Sequence, residues 1–131
     1  MPKQQELQKV QNTTVIGEIQ IINAIGELFN HVDNGLSMWS GAGDRKVSMQ
    51  INFKTSFANP PAVTIGVTGM DSAHDQNLRF WLSAKDITEK GFTIEFDSWG
   101  DTHIARAAIS WTAIGKRKPY EVKTTSASTI R

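Results

Sequence analysis

Apolar and polar residues alternate in five separate runs of this chain, and this period of two limits its possible folds more than any other feature. The alternation is clearest in the first run, where single polar residues separate Val47, Met49 and Ile51. Successive side chains of a β-strand point to opposite faces, so such a run forms a strand with one buried face. The other runs occupy residues 62–68, 77–84, 92–98 and 103–113.

Turn-forming sequences separate these runs and set their spacing. They are Asn59-Pro60-Pro61, residues 71–76, Glu89-Lys90-Gly91 and Gly100-Asp101. Short strands at regular spacing, with no helical period between them, are typical of an antiparallel β-sandwich. We therefore predict a mainly β protein in which residues 35–115 form an antiparallel β-sandwich.

The alternation also predicts which side chains face the core. The inward set is Leu78, Phe80 and Leu82 in one run and Phe92, Ile94 and Phe96 in the next. Arg79 and Trp99 then lie on the outer surface. An exposed tryptophan beside an exposed arginine indicates a surface that contacts a ligand or a partner chain. Trp111 falls on an inward face and is predicted to be a core residue.

Residues 1–34 have a different pattern, in which apolar side chains recur at intervals of three and four. One stripe contains Ile21, Ile25, Leu28 and Val32, and a second contains Val15, Ile19, Ile22 and Phe29. Two adjacent stripes suit a helix packed against two neighbours, as in a trimeric coiled coil with isoleucine at its core positions. We prefer this N-terminal trimerising helix. The alternatives are a helix that folds back onto its own domain and a strand from Val15 to Ile22.

Charge is unevenly distributed along the chain. The net charge is +1, which argues against a dedicated nucleic-acid binder. The basic residues Lys116, Arg117, Lys118, Lys123 and Arg131 nevertheless accompany a single acid, Glu121, after residue 115. This segment contains little apolar area to bury, so residues 116–131 are predicted to be a flexible basic tail. The tail and the N-terminal helix are the two segments expected to attach the protein to a larger particle.

Residues suited to catalysis or metal binding do not form a recognisable motif. Without cysteine, the chain can form neither a disulfide nor a thiolate metal site. His31, His74 and His103 share no metal-ligand spacing, and neither a nucleophile elbow nor a phosphate-binding loop occurs. We expect no enzymatic activity, no metal and no cofactor.

The N-terminus is polar and leads into no apolar segment typical of a secretory signal peptide. No apolar run reaches the length of a membrane span, so we expect no membrane insertion. We therefore expect the protein on the surface of a virion or similar particle, or released without classical secretion.

Four short motifs follow one another on the predicted strands: Asn77-Leu78-Arg79, Gly91-Phe92, Trp99-Gly100-Asp101-Thr102 and Ser110-Trp111-Thr112-Ala113. Ile51-Asn52-Phe53 and the segment 57–63 precede them. None is specific alone, but the ordered set resembles the H-type lectins, the fold of a snail agglutinin and of the discoidin C-terminal domains. The resemblance extends through Gly115. It implies that the sandwich has six strands and is a sugar-binding module.

The resemblance also implies a site. In this family, the arginine of the Asn-Leu-Arg motif and the tryptophan of the Trp-x-x-Thr turn line the sugar site, with an aspartate before the first strand. The matching residues are Arg79, Trp99 and Asp44, and the turn Gly100-Asp101 completes the predicted set. The snail agglutinin has a histidine at the position of Gly100 that contacts an acetamido group. The glycine leaves a preference for N-acetylgalactosamine open and predicts space for a bulkier sugar.

Each predicted site residue also has an ordinary structural interpretation. Arg79 would form a solvated ion pair with Asp97 or Glu95, Trp99 would lie at a protomer interface, and Asp101 would be a turn residue. Weighing both, we predict a homotrimeric carbohydrate-binding protein for surface glycans or polysaccharide, such as the attachment fibre or spike of a phage or gene-transfer particle. The alternative is a structural trimeric adaptor that binds no sugar.

Overall fold

The computed structural model describes residues 5–119, which form two antiparallel sheets with the hydrophobic core between them. The larger sheet has the strand order β1-β2-β7-β4, with β1 at Asn12–Ile16, β2 at Ile19–Asn30, β4 at Ala62–Ser72 and β7 at Ile104–Lys116. The smaller sheet has the order β3-β6-β5, with β3 at Arg45–Asn52, β5 at Trp81–Lys85 and β6 at Gly91–Ser98. Two short helices complete the fold, α1 at Glu6–Lys9 and α2 at Ser37–Ser40.

The core follows the predicted alternation on the central strands. Phe92, Ile94 and Phe96 of β6 are fully buried, as is Trp111 of β7. Trp111 also donates a hydrogen bond from Nε1 to the carbonyl oxygen of Leu7 at 3.0 Å, which fastens α1 over the end of the sandwich. Burial of these large side chains is the main favourable contribution to folding. The prediction of a mainly β antiparallel fold is confirmed.

The prediction of an N-terminal trimerising helix is wrong, because the isoleucine-rich segment forms the hairpin of β1 and β2. Gly17, with a φ of 60°, begins the two-residue turn between these strands at the position where type II′ hairpins favour glycine. Strand β2 buries Ile22 and Ala24 against the core and exposes Ile25 on the opposite face. Both faces of β2 carry isoleucine, so the alternation of apolar and polar residues that marks a half-buried strand is missing. The β-branched residues of this segment, which favour strands, were the remaining indication of a strand.

The predicted count of six strands and the strand at 77–84 also need correction. The described residues contain seven strands, since the hairpin adds two to the five alternating runs. Strand β5 begins only at Trp81, and the preceding residues 77–80 lie outside any strand. Leu78 is therefore 49% exposed and not a core residue, whereas Phe80 and Leu82 pack against the core as predicted.

The structure describes only part of the two terminal segments predicted from the sequence, residues 1–34 and 116–131. Strand β2, inside the segment 1–34, pairs along its length with β7, so it is a structural part of the larger sheet. Lys116 ends β7, and the predicted flexible tail beyond residue 119 lies outside the described residues. Between residues 5 and 119 the helices are too short to cross a membrane.

Candidate functional site

An open pocket with a volume of about 420 Å³ lies at one end of the smaller sheet. It is lined by Asp44, Arg45, Lys46, Asp97, Ser98 and Trp99. The antiparallel register of β3 and β6 creates it, because Lys46 lies opposite Asp97 and Arg45 opposite Ser98. The predicted site residues Asp44 and Trp99 are thus brought together from opposite sides of one pocket, although they are far apart in sequence.

The pocket combines an exposed indole with two carboxylates. Trp99 is 41% exposed, which is a large apolar area to leave in contact with water. Neither Asp44 nor Asp97 forms a salt bridge or side-chain hydrogen bond with another residue of the described range 5–119. Their oxygens are therefore available to accept hydrogen bonds from a ligand's hydroxyl groups.

Arg79 and Asp101 form a salt bridge beside this pocket. The Arg79 guanidinium donates a hydrogen bond to the Asp101 carboxylate. This hydrogen bond is the main reason why the pKa of Asp101 lies below its usual value. Arg79 thus pairs with Asp101 and not with Asp97 or Glu95. Its side chain is 30% exposed, and the guanidinium carries further N–H donors besides the one that bonds Asp101. Arg79 borders the pocket but does not line it.

Gly100 allows this arrangement in two ways. Its φ of 70° lies in the left-handed region, which side-chain-bearing residues rarely adopt. A Cβ at this position would also lie 3.1 Å from Arg79 Nη1, because the guanidinium rests against the glycine. The Arg79 side chain therefore fills the space directly beside Gly100, and the acceptance of a bulkier sugar stays a prediction.

Thr102, three residues after Trp99, holds the backbone segment that carries Arg79. Its side chain is buried, and its hydroxyl donates to the carbonyl oxygen of Asn77 while accepting the Arg79 N–H at 3.1 Å. The Ser98 hydroxyl donates to the Arg79 carbonyl oxygen at 2.7 Å from the other side. These bonds fix the backbone of residues 77–79, which lies outside any strand, and so fix where the Arg79 side chain begins.

Arg45 is the main structural residue that the sequence analysis missed. Its guanidinium, in a residue only 9% exposed, donates to the carbonyl oxygens of Gly43 at 2.8 Å, Thr102 at 2.7 Å and Gly100 at 3.2 Å. A backbone hydrogen bond of 3.0 Å from Gly43 N–H to Gly100 O runs in parallel. The loop carrying Asp44 is thereby tied to the turn after Trp99. Alternation could have revealed this, since Arg45 shares the inward parity of Val47, Met49 and Ile51.

His31 supports the segment that leads into the pocket loop. Its Nδ1 accepts the N–H of Met38 in α2 at 3.1 Å, and its ring packs against Phe29 with centroids 4.8 Å apart. Burial lowers the pKa of His31 from its ordinary value of 6.5. The neutral imidazole is therefore the form that the folded protein prefers.

Acidification is expected to destabilise the fold through His31. Below pH 6.5 the unfolded chain binds a proton that the folded chain resists, so stability is full above that value and decreases as pH falls towards the lower folded pKa. Chemical denaturation at about pH 7.5 and pH 5.5 measures this loss. The loss should shrink in His31→Gln and persist in His74→Gln, which changes an exposed histidine. An equal loss in parent and His31→Gln would contradict the assignment.

Potential metal ligands are dispersed. Among residues 5–119, no group of three or more histidine, aspartate or glutamate side chains is placed to hold a metal ion. The chemistry that the pocket residues can perform is recognition, through stacking on an indole and hydrogen bonds to carboxylates and a guanidinium.

Sequence comparison places this architecture in a known family. The family model described as H-type lectin domain matches residues 48–114, just over half of the chain. A Fuscovulum blasticum protein named "ATP synthase subunits region ORF 7" is 42% identical over 94 residues, which cover 72% of the chain and 82% of that protein. Discoidin-2 of Dictyostelium discoideum is 29% identical over 79 residues, which cover 60% of the chain and 31% of Discoidin-2. The chain belongs to the H-type lectin family.

Structural comparison agrees with this fold. The wild-type discoidin II of Dictyostelium discoideum superposes with a TM-score of 0.66 at 21% identity, covering 81% of the chain and 40% of discoidin II. The chain thus spans about two fifths of that neighbour, and the likeness shows the fold alone. Family membership supports a carbohydrate-binding role. The family resemblance inferred from the ordered motifs is confirmed.

Proposed function

We propose that the protein is a homotrimeric lectin that binds a surface glycan or polysaccharide in the pocket between Asp44 and Trp99, with Arg79, Gly100 and Asp101 forming its border. The observation that carries this proposal is the exposed Trp99 indole beside the unpaired carboxylates of Asp44 and Asp97.

A sugar suits this combination of groups. One face of a pyranose ring presents C–H groups that stack on an indole, while its hydroxyls need donors and acceptors in fixed positions. Asp44 and Asp97 supply acceptors, and the exposed part of the Arg79 guanidinium supplies a charged donor. Asp101 fixes the orientation of that guanidinium by its salt bridge.

Self-association is supported by an apolar surface on the other side of the molecule. The outer face of the larger sheet carries Ile16, Ile19, Ile21, Ile25 and Ile114, which we name the isoleucine face. Register places Ile16 opposite Ile19 and Ile21 opposite Ile114, so these side chains form adjacent pairs. An exposed apolar patch of this kind is typical of a protein interface. It replaces the coiled coil as the basis for a trimer.

Arg79→Ala and Trp99→Ala are expected to abolish glycan binding while leaving the fold intact. Loss of a charge-assisted hydrogen bond costs roughly 1.5–3 kcal/mol, enough to weaken a site roughly tenfold to hundredfold. A microbial and animal glycan array, followed by titration of the best ligand, measures this. Arg106→Ala is the matched control, because Arg106 is another arginine in a salt bridge, half-exposed and 3.8 Å from Asp71 on the other sheet.

Two results would contradict the proposal. The first is a parent protein that binds no glycan on a broad array. The second is Arg79→Ala and Trp99→Ala variants that bind as the parent does. Either result would favour a structural trimeric adaptor, a role for which the isoleucine face alone would suffice.

The lectin proposal extends to the setting in which the protein acts. A trimer with several sugar sites suits the attachment fibre or spike of a phage or gene-transfer particle that holds a host's surface polysaccharide. Co-purification of the protein with such particles, and blocking of their attachment by the array ligand, would test this. Attachment that is indifferent to the ligand would contradict it.

A further inference from the structure

The outer face of the smaller sheet exposes a second tryptophan next to the pocket. Trp81, the first residue of β5, is 66% exposed. It lies opposite Asp97 of β6, which in turn lies opposite Lys46 of β3. Lys46 and Asp97 both line the pocket, so Trp81 is the direct cross-strand neighbour of a pocket residue.

The two exposed indoles are spaced for one extended ligand. Trp99 lies two residues beyond Asp97 along the chain, while Trp81 lies directly across from Asp97 on the neighbouring strand. Strand geometry puts the Cα atoms of the two tryptophans roughly 8 Å apart. This separation exceeds that between directly linked pyranose rings, so a sugar chain that reaches both indoles places an intervening unit beside the unpaired Asp97 carboxylate.

A shallow groove continues the surface beyond Trp81. It has a volume of about 360 Å³ and is lined by Ile65, Gly66, Val67, Phe80, Trp81 and Leu82, between the edge strands β4 and β5. Trp81 therefore borders the groove on one side and the pocket strand on the other. The charged side chains further along this face are already occupied, since Glu95 pairs with Lys85 at 3.0 Å and Lys46 at 3.5 Å.

We propose that Trp81 forms a second sugar-binding subsite beside the pocket, so that the ligand is a chain of at least three linked sugar units. This inference rests on the proposed function. One unit stacks on Trp99 in the pocket, the next lies over Asp97, and the chain continues across Trp81 towards the groove. The substrate class is thus an internal stretch of a polysaccharide or a linear oligosaccharide, and not only a terminal monosaccharide.

The test is a titration series in which ligand length is the variable. The probes are the array glycan that the parent binds best, prepared as its single terminal unit and as fragments of two, three and four units. The parent should bind fragments of three and four units about tenfold more tightly than the single unit, a gain of the size that aromatic stacking provides. Trp81→Ala should lose that gain and bind the single unit as the parent does. Trp81→Phe should keep part of it.

Leu78→Ala is the matched control, because Leu78 is another exposed apolar side chain just before β5 and is 49% exposed. It should reproduce the parent's dependence on length. Trp81→Ala binding every fragment like the parent would overturn the subsite while leaving the lectin proposal intact. A uniform loss at every length would place Trp81 in the primary pocket instead, and a lower oligomeric state would make it an interface residue. A parent that binds no glycan would instead refute the proposed function itself.

Discussion

The variant Ile114→Asp is expected to convert the proposed trimer to monomers and to lower avidity for a multivalent glycan surface about 10²- to 10⁴-fold. Ile114 lies on the isoleucine face, opposite Ile21 of β2. An aspartate there places a charge where three chains would pack, and a buried unpaired charge strongly opposes association. Each site should still bind a monovalent ligand as before, because the pocket lies at the end of the other sheet.

Sedimentation and light scattering measure the assembly, and binding to glycan-coated surfaces compared with free ligand measures the avidity. Leu36→Asp is the control, because Leu36 is another exposed aliphatic residue but lies in the loop before α2, outside the isoleucine face. A monomeric parent at micromolar concentration, or an Ile114→Asp variant that stays trimeric, would show that the isoleucine face has another role. The test of the interface uses a point variant and not a deletion of residues 1–34, because that deletion would also remove strand β2 from the larger sheet.

The sandwich could be predicted from sequence wherever one face of a strand is apolar and the other polar. Strand β6 shows this, because Phe92, Ile94 and Phe96 alternate with polar residues and are all buried. Strand β2 could not be recognised in this way, since both of its faces carry isoleucine. The same residues that concealed the strand form the isoleucine face. The helix prediction therefore failed at the surface that supports the trimer proposal.

Only part of the candidate site could be predicted from the sequence. The family motifs identified Trp99 and Asp44, which the structure brings to one pocket, and Arg79, which borders it. The salt bridge between Arg79 and Asp101 depends on the turn that the positive φ of Gly100 allows. The sequence alone therefore could not show that Arg79 pairs with Asp101 and not with Asp97 or Glu95. Trp81 lies between the inward residues Phe80 and Leu82, so alternation puts it on the outer face, but its position opposite Asp97 requires the strand register.

Replacing Arg45 by methionine is expected to lower the free energy of unfolding by about 3–5 kcal/mol and to weaken sugar binding. The methionine side chain fills similar space but donates no hydrogen bond, so the carbonyl oxygens of Gly43, Gly100 and Thr102 lose a shared donor. Hydrogen bonds to a charged group contribute about 1.5–3 kcal/mol each, and at least two short ones are lost. Chemical denaturation at one fixed protein concentration measures the change, because association would otherwise alter it.

Binding separates a positioning role for Arg45 from a purely structural one. Arg45 ties the loop of Asp44 to the turn after Trp99, so its loss should let the two walls of the pocket move apart even under conditions where the variant is fully folded. Arg45→Lys retains the charge and can reach one carbonyl oxygen, and should recover part of both stability and affinity. Arg106→Met, at a half-exposed arginine with a 3.8 Å salt bridge, should change stability by no more than about 0.5 kcal/mol. A folded Arg45→Met variant that binds the glycan as tightly as the parent would show that the pocket walls hold their positions without this arginine.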